Sequence, residues 1–207
     1  NLPPKSEVIL PSFTWVSCAQ AILLAGHKPV FCDVDLLTMN VTKETIIPHV
    51  TKKTKAIMIV HFAGKPVDMD SIKSLGLPII EDAAHAVDSY YKGQFCGGIA
   101  DVGIYSFDAV KNLTVGEGGG VATNSDELID RAKIMRYCGI GKSGFEAAQN
   151  NAKGRWWEYN IKEPFIKMLP TNIAGAIGIA QLDKLDNYQE YRKKIWDAYQ
   201  KEFNAVS

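Results

Sequence analysis

The first part of this chain alternates short apolar runs with helical patterns, and this alternation limits the possible folds more than any other feature. Short runs rich in β-branched residues and bounded by Gly, Pro or Asp predict buried strands at Glu7–Leu10, Pro29–Val34, Ala56–Val60, Pro78–Glu81, Gly103–Phe107 and Gly120–Thr123. The patterns between them predict helices at Thr14–Ala25, Thr42–His49, Asp68–Leu75 and Asp126–Arg136. Such an order predicts an α/β fold with a mostly parallel sheet between two layers of helices.

The rest of the chain is less regular. The segment Gly139–Arg155 is polar and rich in Gly, Asn and Lys, which predicts a long mobile loop. A helix is predicted from about Asn172 to Phe203. We therefore expect a large domain over residues 1–165 and, over 166–207, a long helix that leads toward a truncated smaller domain. Because the chain does not start with Met, and Glu7–Leu10 has the pattern of an interior strand, we expect the start of the domain to be missing.

Charge and cysteine content exclude several classes of function. Lys+Arg and Asp+Glu number 23 each, so the net charge of zero gives no electrostatic reason to bind nucleic acid or an anionic membrane. Residues 1–6 lack an apolar run, so no signal peptide is expected, and no apolar segment is long enough to predict a membrane span. The four cysteines form no CxxC pair, which predicts reduced structural thiols in a cytoplasmic protein. No His, Cys, Asp and Glu cluster has metal-ligand spacing, so no metal site is predicted.

Two segments about thirty residues apart carry the candidate chemistry. Pro78–Ala86 places Asp82 at the end of an apolar strand, and Tyr105–Asn112 places Ser106 and Lys111 at the end of another. A carboxylate facing a lysine is what a pyridoxal phosphate site needs: the lysine forms a Schiff base with the aldehyde, and the carboxylate keeps the pyridine nitrogen protonated. The Ser106 hydroxyl is suited to the phosphate of the same cofactor. The sequence therefore predicts a cofactor site beyond the carboxyl ends of the strands.

Each of these features also has a purely structural explanation. A lysine past a strand end is usually a solvated surface charge, so position alone does not assign Lys111. Asp82 is equally suited to cap the turn after its strand. For Trp15, core packing is favoured over a ring stacked on the cofactor, and for His85 a structural hydrogen bond is favoured over contact with the ring. The run Gly116–Gly120 fits neither phosphate-binding glycine motif, and a tight turn with positive φ is favoured over a phosphate cradle.

Several longer segments, taken in order, resemble one family. They are Glu7–Trp15 (EVIxPxxTxx), Lys28–Asp35 (KPVFxDVD), Val60–Gly64 (VHxxG), Asp68–Asp70 (DMD), Glu81–Ala86 (EDAAHA), Gly116–Gly119 (GEGG) and the small-residue helix Asn172–Leu182. The chain is similar in these segments to the sugar aminotransferase family DegT/DnrJ/EryC1/StrS. The resemblance implies the aspartate-aminotransferase fold, that is, a type I pyridoxal-phosphate-dependent transferase.

The resemblance also implies roles for individual residues. Lys111 would form the Schiff base and later move a proton between substrate and cofactor. Asp82 would pair with the pyridine nitrogen, and His85 would lie against the ring or its 3-hydroxyl. Ser106 would bind the phosphate, and Trp15 would stack on the ring.

Some expectations from the resemblance concern a second subunit or departures from the family. Lys167 falls where the family has Asn or Lys that reaches the phosphate in the neighbouring subunit, which implies a homodimer with shared active sites. Asp108 replaces the histidine of the family's SFHxxK motif. The family's GTxAL phosphate segment and most of its smaller domain have no counterpart in this chain.

The function implied by the resemblance is transfer of an amino group from an amino acid, by resemblance glutamate, to a nucleotide-linked keto-sugar. Pyridoxal 5'-phosphate would alternate with pyridoxamine 5'-phosphate during the cycle. Two alternatives stay open. One is a sugar dehydratase of the same family, which would carry histidine in place of Lys111. The other is a non-catalytic binding or regulatory protein that keeps the fold.

Overall fold

A computed structural model describes residues 2–141 and 159–205. Most of the loop predicted at Gly139–Arg155 lies outside the described residues. The chain divides into two compact units, one of Asn1–Ser106 with Gly119–Leu169 and the other of Phe107–Gly118 with Pro170–Ser207. The segment Phe107–Gly118, which the sequence analysis had placed in the large domain, thus belongs to the second unit. The division at residues 165 and 166 stays a prediction about domains.

The first unit contains a six-stranded sheet and a separate two-stranded hairpin. All six predicted strands are present, with ends shifted by one or two residues. The strands are β1 (Glu7–Pro11), β2 (Lys28–Cys32), β3 (Thr54–Val60), β4 (Ile79–Asp82), β5 (Tyr90–Tyr91), β6 (Gln94–Phe95), β7 (Val102–Ser106) and β8 (Gly119–Ala122). The β5–β6 hairpin was not predicted; its two-residue turn places Lys92 and Gly93 at positive φ.

The strand order of the large sheet is β2-β1-β3-β4-β7-β8. All neighbouring strands pair in parallel except β7 and β8, which are antiparallel. The mixed, mostly parallel sheet predicted from the sequence is therefore confirmed. Because the chain continues from β1 to β2 on one side and then to β3 on the other, the carboxyl ends of β1 and β3 form a switch point, where such sheets bind ligands.

Helices cover both faces of this sheet. Successive strand residues point to opposite faces, so Ile9, Ile57 and Ile59 form one core with residues that include Ile46 and Met69. On the other face, the strand residues Val8, Leu10 and Met58 form a second core with Cys18 and Ile22. The helices are α1 (Val16–Leu24), α2 (Lys43–Ile46), α3 (Met69–Lys73) and α4 (Asp126–Met135). These layers confirm the predicted three-layer α/β/α arrangement.

The second unit contains two helices where one was predicted. Helix α5 (Asn172–Leu182) begins after Thr171, whose hydroxyl accepts a hydrogen bond from the Ala174 amide, and α6 covers Leu185–Asn204. The single helix predicted at Asn172–Phe203 is wrong at Asp183 and Lys184. There the Lys184 amide bonds to the Gln181 carbonyl, three residues back, and this tight turn separates the two helices.

Over the described part of the chain, no helix combines the length and the apolar character needed to cross a bilayer. Within residues 2–141 and 159–205, no group of three His, Cys, Asp or Glu side chains is placed to hold a metal ion.

Candidate functional site

The carboxyl edge of the sheet gathers most of the side chains singled out in the sequence. Strand β1 is followed by Trp15, which precedes helix α1, and strand β4 ends at Asp82. His85 follows in the loop after β4, and Ser106 is the last residue of β7. Since these strands are parallel, their following residues lie at one edge.

Asp82 is half-buried, and each of its carboxylate oxygens has one donor. The Ala84 amide donates to Oδ1 over 2.9 Å, and the Cys18 thiol donates to Oδ2 with a sulfur–oxygen distance of 3.1 Å. The first bond is the turn-capping contact that was one of the two explanations for Asp82. A carboxylate offers about four acceptor positions, so among the described residues this one keeps capacity for a further donor.

Cys18 lies on the first turn of α1 and connects Asp82 to Thr14. The Thr14 hydroxyl donates to the Cys18 sulfur over 3.1 Å, four residues along the chain. Burial raises the pKa of the Cys18 thiol to about 12, so the sulfur keeps its proton at neutral pH. The thiol therefore acts as a hydrogen-bond donor to the carboxylate.

Aromatic rings lie beside this network. The ring centroids of Phe13 and Phe62 are 4.4 Å apart, and those of Phe62 and His85 are 5.7 Å apart in an edge-on arrangement. The Nδ1 atom of His85 accepts a hydrogen bond from the Ala63 amide over 3.3 Å, which orients the imidazole. The indole of Trp15 is 76% exposed, so core packing within this unit does not explain it.

Glu81, next to Asp82 in the sequence, is fully buried and has a different environment. Its carboxylate accepts hydrogen bonds from the amides of Gly97, Ile99 and Ala100 at 2.5–2.7 Å and from Nε2 of His61 at 2.9 Å. Burial alone raises the pKa of Glu81, but the hydrogen bonds from His61 and the three amides outweigh it and hold the pKa below its ordinary value.

His61 in turn has both ring nitrogens engaged. Its Nδ1 accepts a hydrogen bond from the Val67 amide over 3.1 Å, so Nε2 is the nitrogen that donates to Glu81. Both hydrogen bonds of His61 are therefore structural. Glu81 and His61 together fasten the ends of β3 and β4 to the loop at residues 97–100.

The other residues singled out in the sequence are Lys111, Asp108 and Lys167. Lys111 is half-buried in the second unit, five residues after Ser106 in the sequence, and its amide bonds to the Asp108 carbonyl over 3.0 Å. Asp108 Oδ1 accepts from the Val110 amide over 3.1 Å and so supports the turn that carries the lysine. Lys167 is exposed and forms a backbone bridge with Tyr137. Among the described residues, no side-chain hydrogen bond or ring contact joins Lys167 to Thr14, Cys18 or Asp82.

Three residues whose hydrogen bonds are described above, Thr14, Cys18 and Glu81, were missed from the sequence. Thr14 and Cys18 have a four-residue spacing that places them one helical turn apart, but nothing in the sequence shows that α1 approaches Asp82. Glu81 gave a usable signal, because a carboxylate in an apolar strand must be paired when it is buried.

The fold is that of an open α/β sheet, a class of domain in which ligands bind beyond the carboxyl ends of the strands. A model of the DegT/DnrJ/EryC1/StrS aminotransferase family matches residues 1–207. The chain belongs to this family, which confirms the resemblance stated from the sequence.

Similar proteins agree with this assignment. The spore coat polysaccharide biosynthesis protein SpsC of Bacillus subtilis is 37% identical over 210 residues, which cover 100% of this chain and 53% of SpsC. The crystal structure of the aminotransferase TlmJ from Streptoalloteichus hindustanus has a TM-score of 0.86 and 34% identity, over 97% of this chain and 52% of TlmJ. Spr1654 of Streptococcus pneumoniae in its PMP form has a TM-score of 0.88 and 31% identity, over 98% of this chain and 56% of that protein. The chain thus spans about half the length of these relatives.

Proposed function

We propose that the protein is a pyridoxal-phosphate-dependent aminotransferase that transfers an amino group from an amino acid to a nucleotide-linked keto-sugar. One observation carries the proposal: a half-buried carboxylate, Asp82, is held by two donors at the ligand-binding edge and keeps acceptor capacity among the described residues. Family membership supports it, as does the role of SpsC in polysaccharide biosynthesis that its name states. Spr1654 has been solved in both PLP and PMP forms.

The residues at the edge fit this cofactor by their chemistry. A fixed carboxylate suits a pyridinium nitrogen, because a charge-assisted hydrogen bond to Asp82 favours the protonated ring. The exposed indole of Trp15 offers a flat surface for stacking. When bound, pyridoxal phosphate supplies an electron sink that stabilises negative charge on the substrate carbon.

The other proposed roles are those that family membership implies. Lys111 would hold the cofactor through Nζ, which would condense with the aldehyde as water leaves, and its free amine would take and return the substrate proton as base and acid. Ser106 binds the phosphate, and His85 orients the ring at its face or 3-hydroxyl. Asp108 supports the lysine-bearing turn through the Val110 amide, a backbone role that does not need the family's histidine.

The substrates, assembly and location complete the proposal. Glutamate is the proposed amino donor. We propose a homodimer in which the exposed Lys167 reaches the cofactor phosphate of the neighbouring subunit. A cytoplasmic location is proposed because all four cysteines are free thiols and three of them are buried.

The covalent bond to Lys111 is the most direct test of this function. The intact protein is mixed with pyridoxal phosphate, reduced with borohydride, digested and analysed by mass spectrometry. We expect the pyridoxyl label on Lys111 and its loss in Lys111→Ala. Lys133→Ala, which removes an exposed lysine paired with Asp130, is the matched control and should keep the label. A label on other lysines, or none, contradicts the proposal and favours a non-catalytic protein.

A second measurement separates transamination from dehydration. Glutamate added to the loaded protein should convert it to the pyridoxamine form, with loss of visible absorbance and release of 2-oxoglutarate. A protein that holds the cofactor but releases no 2-oxoglutarate with glutamate, and that removes a hydroxyl from a keto-sugar when supplied with pyridoxamine phosphate, would be a dehydratase.

A further inference from the structure

Two hydrogen bonds join Thr14, Cys18 and Asp82: the Thr14 hydroxyl donates to the Cys18 sulfur, and the Cys18 thiol donates to Asp82. An ionised carboxylate only accepts, so the proton between sulfur and Asp82 Oδ2, 3.1 Å apart, belongs to the thiol. The sulfur then presents a lone pair to the Thr14 hydroxyl, also 3.1 Å away. The hydroxyl therefore orients the thiol, and the thiol orients the carboxylate.

The surroundings of Cys18 keep it in this donor state. The residue is 6% exposed, and burial raises the pKa of its thiol to about 12. A thiol is a weak donor, but hydrogen bonds to an ionised acceptor are about twice as strong as those between neutral groups. Exclusion of water strengthens the contact further.

We propose that Cys18 is a positioning residue for the cofactor: its thiol fixes the Asp82 carboxylate that accepts the hydrogen bond from the pyridine nitrogen. The inference rests on the proposed function. The Ala84 amide holds Oδ1 over 2.9 Å while Cys18 holds Oδ2, so the carboxylate cannot turn without losing one of its two donors. The remaining acceptor positions then keep a constant direction.

A packing role is the competing explanation, because Cys18 also belongs to the core between α1 and the sheet. Cys32 offers a matched control. It is 2% exposed, and its thiol donates to the Leu10 carbonyl, with a sulfur–oxygen distance of 3.5 Å, in place of a carboxylate. Cys18→Ala and Cys32→Ala each remove a buried sulfur, the first from helix α1 and the second from strand β2, but only the first removes a donor to Asp82.

The test measures the binding of two probes to the intact apo protein by calorimetry. The first is 4-deoxypyridoxine 5'-phosphate, which has the ring nitrogen and phosphate but no aldehyde and so needs no bond to Lys111. The second is its 1-deaza analogue, in which carbon replaces that nitrogen. Cys18→Ala should weaken binding of the first probe about 5- to 10-fold, as expected for one weak hydrogen bond to a charged group. Binding of the second probe should be unchanged.

The variants Cys18→Ser and Thr14→Val test the two hydrogen bonds of the Cys18 sulfur separately. Cys18→Ser retains a hydroxyl donor and should bind the first probe within about 2-fold of the wild type, whereas Thr14→Val should weaken it about 2- to 3-fold. Equal losses for both probes, or the same loss in Cys32→Ala, would overturn the positioning role. In that case the label on Lys111 would still support the proposed function. Wild-type protein that does not distinguish the two probes would overturn both the pairing of Asp82 with the ring and the role of Cys18.

Discussion

Glu81 and Asp82 are adjacent in strand β4, but they lie in opposite environments. Glu81 is fully buried and its carboxylate is saturated by three amides and His61, whereas Asp82 is half-buried and has two donors. Alternation along the strand causes the difference: Glu81 shares a face with Ile79 and the first core, and Asp82 shares a face with Ile80 and Cys18. A saturated carboxylate stabilises the fold, and one with spare capacity is available to a ligand.

Removal of Glu81 should produce the largest loss of stability. Glu81→Ala leaves the amides of Gly97, Ile99 and Ala100 and the His61 Nε2–H without an acceptor, and we expect a loss of about 3–5 kcal/mol in the free energy of unfolding. Urea denaturation followed by circular dichroism measures it. Asp130→Ala, which removes an exposed carboxylate paired with Lys133, is the control and should unfold like the wild type. A loss for Glu81→Ala as small as that of the control would show that the buried network does not stabilise the fold.

Asp82 should show the reverse pattern. Asp82→Asn should weaken pyridoxal phosphate binding about 100-fold, because the ring nitrogen loses its charged partner, while the free energy of unfolding changes by less than about 1 kcal/mol. Fluorescence titration and urea denaturation measure the two quantities. Asp33→Asn, an exposed carboxylate whose Oδ1 accepts from the Val34 amide just past the end of β2, should leave both unchanged. A large loss of stability without a loss of binding would reverse the roles assigned to the two carboxylates.

Acid should reduce the contribution of Glu81 to the free energy of unfolding. Its folded-state pKa lies below the ordinary value of 4.5, so its stabilisation is complete above pH 4.5 and decreases as the pH falls toward the lowered pKa. We expect the difference in unfolding free energy between the wild type and Glu81→Gln to be constant from pH 7 to about pH 5 and to shrink below pH 4.5. A difference that grows on acidification would contradict a lowered pKa at Glu81.

Substitution of Trp15 should have the smallest effect on stability and on cofactor binding. Because its indole is 76% exposed, Trp15→Ala should leave the free energy of unfolding unchanged. If the ring stacks on the cofactor, the same variant should weaken pyridoxal phosphate binding about 3- to 10-fold, and Trp15→Phe should restore most of it. Unchanged binding in Trp15→Ala would remove Trp15 from the site but would leave the contrast between Glu81 and Asp82 intact.

The sequence predicted the fold well because its signals are local. The strands are short β-branched runs, and helix α4 follows Ser125, whose hydroxyl accepts a hydrogen bond from the Leu128 amide. Asp82 and Ser106 were found because residues at strand ends share an edge. The break at Asp183 and Lys184 was missed because neither residue is a strong helix breaker.

Contacts between distant segments could not be predicted in the same way. The donors to Glu81 come from His61 and from the loop at residues 97–100, which follow different strands. The bond between Cys18 and Asp82 joins residues 64 positions apart and depends on how α1 packs on the sheet. Neither contact has a spacing rule in the sequence, so composition and pattern gave Cys18 only the role of a buried thiol.

We propose that the Asp82 carboxylate holds a proton on the pyridine nitrogen of the cofactor. Nitrogen NMR of pyridoxal phosphate labelled with nitrogen-15 in the ring, bound to the intact protein, measures this directly. We expect the shift of a protonated pyridinium in the wild type and in Glu81→Gln, and the shift of a neutral pyridine in Asp82→Asn. The same ring-nitrogen shift in the wild type and in Asp82→Asn would contradict it.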